Sequence, residues 1–536
     1  MKKVVPILLF TLLFTVAKSQ YVEKVTSINY YGYNGLNPSN ISVFNNKLYF
    51  FGTDDLHYVD KLMYTADGSA AGVTVVKQID TVKQWPTLRH LTMMNNLLVF
   101  DNYNELWKSD GTTAGTSMIK TIEVSAANYV VLNNKAYFAG DITNANPIND
   151  QLWQTDGTAS GTTLVKTINP SGPAGIVNMF VYGGKIYFNA SDATHSSQLW
   201  VSDGTTSGTM LLKLINPTGI AYPSNFIAYN GKVYFSADDG VNGNQLWVTD
   251  GTPVGTVKIT NINAGSAGFQ PRTMTLFNSK IYFCGIDTGS FYQLFSTDGT
   301  AIGTKKIKTD YTPRNGVRGF YPSSMAVHNG ILYMAAYDSL TMNDQLWSCD
   351  GTTAGTLRIT SFTQGLYPSR LYSFQNWLVM TGNDTITHSV QLYASDGTAA
   401  GTVCPTPPDT WSTYPFYPWE AWVPFNNALY FKGAYTYFAD YQLCRFSSTP
   451  SGIEQPIKNN LSVYPNPSSG LVHIMLAESA TNAKVEVFNS NGQLILSKNI
   501  NHAIQTTLDL TNHAKGLYVI KIQSGDNVLM NKVVIE

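Results

Sequence analysis

The chain has 536 residues, more than one hydrophobic core usually fills, so it must be modular or divided into domains. Its formal charge is −1 and charged residues make up only 13 %, which excludes the basic excess of a nucleic-acid-binding protein. Its 32 Tyr and 10 Trp suit a β protein that packs sheet against sheet.

Residues 1–19 read as a secretory signal, with Lys2 and Lys3 as the basic start, Val4 to Val16 as the apolar run and Ala17-Lys18-Ser19 as the small-residue cleavage site. The run is shorter than the roughly 20 residues that span a bilayer. No later segment is long enough either, so no transmembrane segment is expected in the mature chain, which is expected to be secreted or held at the outer-membrane surface.

Residues 20–449 are repetitive. An Asp-Gly step returns at Asp67, Asp110, Asp156, Asp203, Asp250, Asp298, Asp350 and Asp396, at intervals of 43 to 52 residues, and a second Gly follows each step. A ninth copy, Gln442-Leu443-Cys444, lacks the Asp-Gly. This period is that of a four-stranded propeller blade.

The fifth unit shows the pattern. Phe226 to Tyr229 is a short strand, Asn230-Gly231 a hairpin turn, and Lys232 to Ala237 the returning strand. Asp238 to Asn244 is a polar loop, Gln245 to Thr249 the third strand, and Asp250-Gly251-Thr252 with Gly255 the next reversal before Val257 to Ile262. In this turn the Asp is expected to accept backbone N–H groups, a structural role for all eight aspartates. The recurrent Tyr-Phe and Leu-Trp pairs are expected to fill the space between blades.

The expected fold class is therefore all-β: a β-propeller of about nine blades, with eight as the alternative count and an open solenoid as the alternative architecture. Gln20 to Ile28 resembles a fourth strand, whereas the ninth unit ends after its third. Pairing the two would close the ring and remove both exposed edges.

The four cysteines show no paired C-x-x-C spacing, which argues against zinc. Cys404 and Cys444 lie in neighbouring units, which leaves a disulfide open, but Cys444 occupies a Trp slot and so reads as a small buried apolar residue.

Gln/Glu-Leu-Trp-x-x-Asp-Gly-Thr-x-x-Gly-Thr resembles the ELWxxDGT repeat of Bacteroidota surface proteins over residues 30–448, a resemblance that implies no known chemistry. The Asp-Gly hairpin is also similar in position to the Asp-box of sialidase propellers, but the seven arginines are scattered. A linker is expected over 450–460. Beyond it, Tyr464-Pro465-Asn466-Pro467, then Gly516-Leu517-Tyr518-Val519-Ile520-Lys521-Ile522 and the closing Lys532 to Glu536, resemble the type A C-terminal sorting domain of type IX secretion over 461–536, a small Ig-like β-sandwich. This resemblance implies the type IX machinery as a partner.

No Gly-x-Ser-x-Gly elbow, His-Glu-x-x-His or phosphate loop occurs. No cofactor or catalytic residue is expected; a structural Ca²⁺ in the oxygen-rich loop Asp238 to Asn244 is weakly indicated, since the EF-hand order is absent.

The long loops, Ile142 to Asp150, Asp287 to Tyr292, Tyr337 to Asp344 and Asn383 to Val390, differ between units and belong to one face of the ring, the arrangement of a binding surface. Aromatic-Pro steps at Trp85, Tyr222, Tyr321, Tyr367 and Tyr417 read as a structural latch near the channel mouth.

One aromatic-rich loop occurs once, and Trp411, Tyr414, Trp419 and Trp422 in it are the candidate ligand-binding residues, with core filling of the last blade as the alternative. The expected function is non-catalytic binding of a glycan or protein. A glycan hydrolase and a structural surface protein are the alternatives.

Overall fold

The computed structural model describes residues 21–447 and 461–536, apart from 27–34, 55–56, 70, 80–87, 103, 126–128, 144–148, 266–267, 310–318, 384–389, 406–421, 435–440, 465–467, 481–482, 490–492, 501–502 and 525–526. All regular structure among these residues is β. The chain divides into two compact units, Met1–Thr449 and Pro450–Glu536.

The first unit consists of nine antiparallel sheets in chain order, eight of which are built from one sequence unit each. In blade five, Ser224–Tyr229, Lys232–Asp238, Asn244–Thr249 and Val257–Lys258 form a meander. Asn230 and Gly231 both take positive φ, 47° and 75°, as the primed turn between the first two strands requires. Blade eight is shorter, with three strands and a single bridge from Ala394 to Val403.

The ninth blade joins the two ends of the unit. Tyr21–Lys24 pairs antiparallel with Tyr441–Ser447, so the N-terminal strand completes the last sheet. Gln442 Oε1 accepts the Thr26 hydroxyl at 2.6 Å, and Arg445 forms an ion pair with Glu23 at 2.7 Å. Leu48, Phe50 and Tyr64 of blade one share a buried cluster with Phe425, Tyr430 and Leu443 of blade nine. Such clusters fill all nine blade-to-blade interfaces, and that count decides between a closed nine-bladed ring and an open array.

Each interface is built from the repeated aromatic pairs. Phe100, Phe138, Phe188, Phe235 and Phe283 on the second strands are fully buried, and Phe235 stacks on Trp247 at 6.5 Å between centroids. Cys444 is wholly buried in the cluster between blades eight and nine, the small apolar filler expected there, while Cys404 packs between blades seven and eight.

The Asp-Gly turn is a closed hydrogen-bond loop. Asp203 Oδ1 accepts the N–H and hydroxyl of Thr205, at 2.8 and 2.7 Å, and that hydroxyl oxygen accepts the N–H of Gly208 at 2.9 Å. The same bonds recur from Asp67 through Asp396. A Cβ on Gly208 would lie 2.1 Å from the Asp203 carboxyl carbon, so the second Gly is required by close approach.

The Gln that opens several units has a longer-range task. Gln198 Nε2 donates to the carbonyls of Ser196, Asn216 and Gly219, and its Oε1 accepts the N–H groups of Ile215 and Asn216. It thereby anchors the chain leaving the fourth strand to the start of the third.

The second unit is a β-sandwich. Leu461–Tyr464, Leu471–Ala480 and Ala503–Asp509 form one sheet; Leu494–Ile500, Ala483–Asn489, Gly516–Ser524 and Asn527–Ile535 form the other. Val472, Ile474, Val485, Val487, Ile520 and Val533 are buried between them.

Candidate functional site

The antiparallel meander places the first-to-second and third-to-fourth turns on one face and the longer connections on the other. The innermost strands begin on the long-loop face, and nearly all begin with the same irregularity. Their second residue takes a left-handed conformation: Asn40, His90, Asn178, Asn225, Thr273, Ser324 and Arg370, with φ from 46° to 58°. The register slips at each of these points, as between Ser224 and Ile227 or Arg272 and Thr275. A bulge re-aims side chains at the end of a strand. Positive φ in Thr273, a β-branched residue, marks strain held by the surrounding fold.

The aromatic-Pro steps lie immediately before these bulges. Their latch is made by the backbone: the N–H of Tyr222 bonds to Ser197 O, that of Tyr321 to Tyr292 O and that of Tyr367 to Asp344 O. Gln270, before Pro271, does the same with Asn244 O. The rings themselves are not needed for that bond, and those of Tyr222 and Tyr367 remain 51 % and 38 % exposed. Trp85 and Tyr417 lie outside the described residues.

Two arginines occupy the same position in different blades, first in the inner strand and opposite the end of the second. In blade two, Arg89 faces Asp101. Asp101 is fully buried and accepts Arg89 Nη2 at 2.7 Å, His90 Nδ1 at 2.7 Å and the Tyr129 hydroxyl at 3.3 Å. Burial and the Asp101 charge push the Tyr129 hydroxyl well above its ordinary pKa, so it stays a neutral donor. This network closes the space between blades two and three.

In blade six, Arg272 faces Cys284 instead. Burial pushes the Cys284 thiol up to about 11, against the pull of the guanidinium, so the thiol carries no neutralising charge. Arg272 lies 4.0 Å from the Tyr292 ring centroid and 5.1 Å from that of Tyr321. These two rings meet edge to face at 4.9 Å. Arg272 lines a pocket of about 270 Å³ together with Ser224, Asn225, Ser236, Asp238, Asn244, Gln270 and Pro271. Arg272 Nη2 and Asn244 Oδ1 are both buried without a hydrogen-bond partner among the described residues.

Of the residues singled out from sequence, Trp411, Tyr414 and Trp419 lie outside the described residues. Trp422 is described and is 9 % exposed; its ring packs on Phe431 and its Nε1 donates to Arg370 O at 2.6 Å. It belongs to the packing between blades eight and nine, the core-filling alternative, and presents no open ring. The physical reason is the Cys444 position beside it, where a Trp stands in other units.

In the loop weighed for Ca²⁺, Asp239 accepts the N–H groups of Val241 and Asn242 and forms an ion pair with Lys258 at 2.6 Å, so an ammonium group stands where a cation would bind. Lys306 with Asp287 and Arg358 with Asp338 repeat this pairing in the next two blades. Among the described residues no group of three His, Cys, Asp or Glu side chains could hold a metal ion.

The bulges and the arginine pair were not singled out in the sequence. Alignment of the units on their first turn would have shown the arginines, since the position six residues before that turn is Ser, Arg, Val, Ser, Arg, Ser and Ser in Ser39, Arg89, Val177, Ser224, Arg272, Ser323 and Ser369.

Residues 462–536 match the family described as the secretion system C-terminal sorting domain. The second unit therefore carries the sorting signal of type IX secretion, which implies export and engagement of that machinery. No helix among the described residues is long and apolar enough to cross a membrane. No curated protein matches the chain.

Among solved structures, the chain is similar to a puromycin hydrolase at 12 % identity and TM-score 0.34, over 66 % of this chain and 59 % of that one, so it spans less than two thirds of that protein. It is also similar to a prolyl endopeptidase at 11 % identity and TM-score 0.36, over 74 % of this chain and 54 % of the other. The extracellular domain of a putative one-component system from B. thetaiotaomicron is 9 % identical with TM-score 0.25, over 96 % of this chain and 98 % of that one.

Proposed function

We propose that the propeller is a non-catalytic binding module, delivered to the cell surface or medium, that recognises a glycan on its long-loop face. The observation that carries this reading is the combination of exposed tyrosines, Tyr222 and Tyr367, with a polar pocket at the mouths of blades five and six. A rigid ring that holds unit-specific polar and aromatic side chains at one rim suits recognition. The aromatic-rich segment at Trp411, Tyr414 and Trp419 belongs to the same proposal, as further rings for stacking on a sugar.

The test is a glycan and peptide array probed with the mature chain, followed by an assay for new reducing ends on every bound glycan. Saturable binding of a glycan without cleavage supports the proposal. Cleavage would make the protein a hydrolase, and ordered self-assembly without any bound ligand would make it a structural surface protein.

A further inference from the structure

Arg89 and Arg272 provide an internal comparison, because they share one position in the repeat and differ in what faces them. Arg89 is neutralised by a buried carboxylate that also accepts His90 and Tyr129. Arg272 faces a thiol, and no ion pair involving it forms among the described residues. A buried donor on a charged group is costly to leave unpaired. The two tyrosine rings hold the guanidinium in place but accept no hydrogen bond from Nη2, and Arg272 lines the same pocket as Asn244, whose Oδ1 is likewise buried and unpartnered.

We infer that this pocket binds a carboxylate-bearing sugar ring, a uronate unit of an acidic glycan, with its carboxylate on Arg272 and a ring hydroxyl on Asn244 Oδ1. Arginine matches a carboxylate in charge and in planar, two-pronged geometry. The remaining wall is made of hydroxyls, amides and one carboxylate. Ser224 and Ser236 bond to each other at 3.0 Å, and Asp238 takes the N–H of Gly240 at 2.7 Å.

This lining offers donors and acceptors to ring hydroxyls. Pro271 is its one apolar residue, so it gives no room to the apolar side chain of a peptide C-terminus. At about 270 Å³ the pocket lies just below the roughly 300–1,000 Å³ of small-ligand sites, the size for one sugar ring. The exposed Tyr222, two residues before Ser224, stands on the same rim to stack on the next ring of a chain.

This inference rests on the binding-module reading and specifies its ligand. The experiment is calorimetric titration of the mature chain with glucuronate and galacturonate oligosaccharides, their neutral glucose and galactose counterparts, a short peptide with a free C-terminus, and inorganic phosphate. The variants are Arg272→Gln and Asn244→Asp, each with its melting temperature recorded. The second variant keeps side-chain volume and places a negative charge against the bound carboxylate, so it tests the site even if the first does not fold.

The expected result is binding of the uronate at least tenfold tighter than of its neutral counterpart, with a loss on the order of tenfold or more in either variant at unchanged melting temperature. Equal affinity for acidic and neutral sugars, unchanged affinity in the folded variants, or preference for the peptide or phosphate overturns the inference. Glycan binding that survives in both variants overturns this site while leaving the binding module intact. If neither the array nor the titration yields any ligand, both fall.

Discussion

Tyr430 of the last blade donates its hydroxyl to the carbonyl of Gly68 in the first, at 3.2 Å across 362 positions of sequence. The contact is the ordinary blade-to-blade contact of this fold. Tyr49, Tyr137, Tyr187, Tyr234, Tyr282 and Tyr333 each reach the Asp-Gly turn of the following blade, at Gly111, Gly204, Gly251, Gly299, Gly351 and Gly397. The ring thus closes with the same contact that stacks its units.

Loss of that closure is expected to weaken the whole propeller. Tyr430→Phe removes the bond to Gly68 O and the hydroxyl's contact with Arg445, and is expected to cost on the order of 1–2 kcal/mol. Deletion of residues 20–26 removes the strand pairing, the Thr26–Gln442 bond and the Glu23–Arg445 ion pair together, and also exposes the edge of Tyr441–Ser447. Chemical denaturation of the two variants is the measurement. A deletion variant as stable as the parent would show that closure contributes nothing.

The turn makes a second prediction. Gly208→Ala places a methyl group on the Asp203 carboxylate and is expected to destabilise by about 1–3 kcal/mol through overpacking. Gly183, in the first turn of the preceding strand pair, has φ 58° and open space at its Cβ position. Gly183→Asn should therefore cost little, because Asn tolerates that conformation. Equal losses in the two variants would contradict the steric account.

The turns, the strands and the interblade aromatics were legible because each obeys a local rule that recurs from unit to unit: Asn or Gly for the primed turn, Asp-Gly followed by a hydroxyl residue for the carboxylate-capped one in eight of them, apolar pairs at strand centres. Gln198 was less legible. Its bonds reach Asn216 and Gly219, on the chain leaving the blade, and nothing in the residues beside it announces that distance. The bulges at Thr273 and Ser324 were hidden because left-handed conformation is normally signalled by Gly or Asn. The aromatic-Pro steps at Tyr222, Tyr321 and Tyr367 do tie neighbouring segments together, but through their N–H groups rather than their rings. The difference between Arg89 and Arg272 depends on the residue across the hairpin, Asp101 or Cys284, and appears only once the register is known.

Acid should weaken the propeller through its turns. Hydrogen bonds from the hydroxyl and then the N–H of the following Thr hold Asp110, Asp203, Asp250, Asp298 and Asp350 below the usual carboxyl range. A depressed folded-state pKa means that the contribution is complete above the unfolded value, about 3.9, and is lost as pH falls through the lower folded values. Melting temperature is therefore expected to vary little from pH 7 to about 5 and to drop below about 4. A variant carrying D203N, D250N, D298N and D350N should start lower at neutral pH and lose less on acidification. Parallel acid profiles for parent and variant would remove the turns as the cause.

Trp422 gives the last prediction, since its position separates packing from recognition. Its indole is 9 % exposed, meets Phe431 edge to face at 5.2 Å and donates to Arg370 O, which ties blade nine to the inner strand of blade eight. Trp422→Ala is expected to cost about 3–5 kcal/mol, the range for a buried aromatic. Trp422→Phe keeps most of the packing and removes only the indole N–H bond to the Arg370 carbonyl, so it should cost less. Neither change should alter glycan affinity in the fraction that remains folded, because the ring faces the interior. Denaturant melts and calorimetric titration on the same samples decide the matter. Unchanged stability with lost affinity would return Trp422 to the ligand surface, together with Trp411, Tyr414 and Trp419.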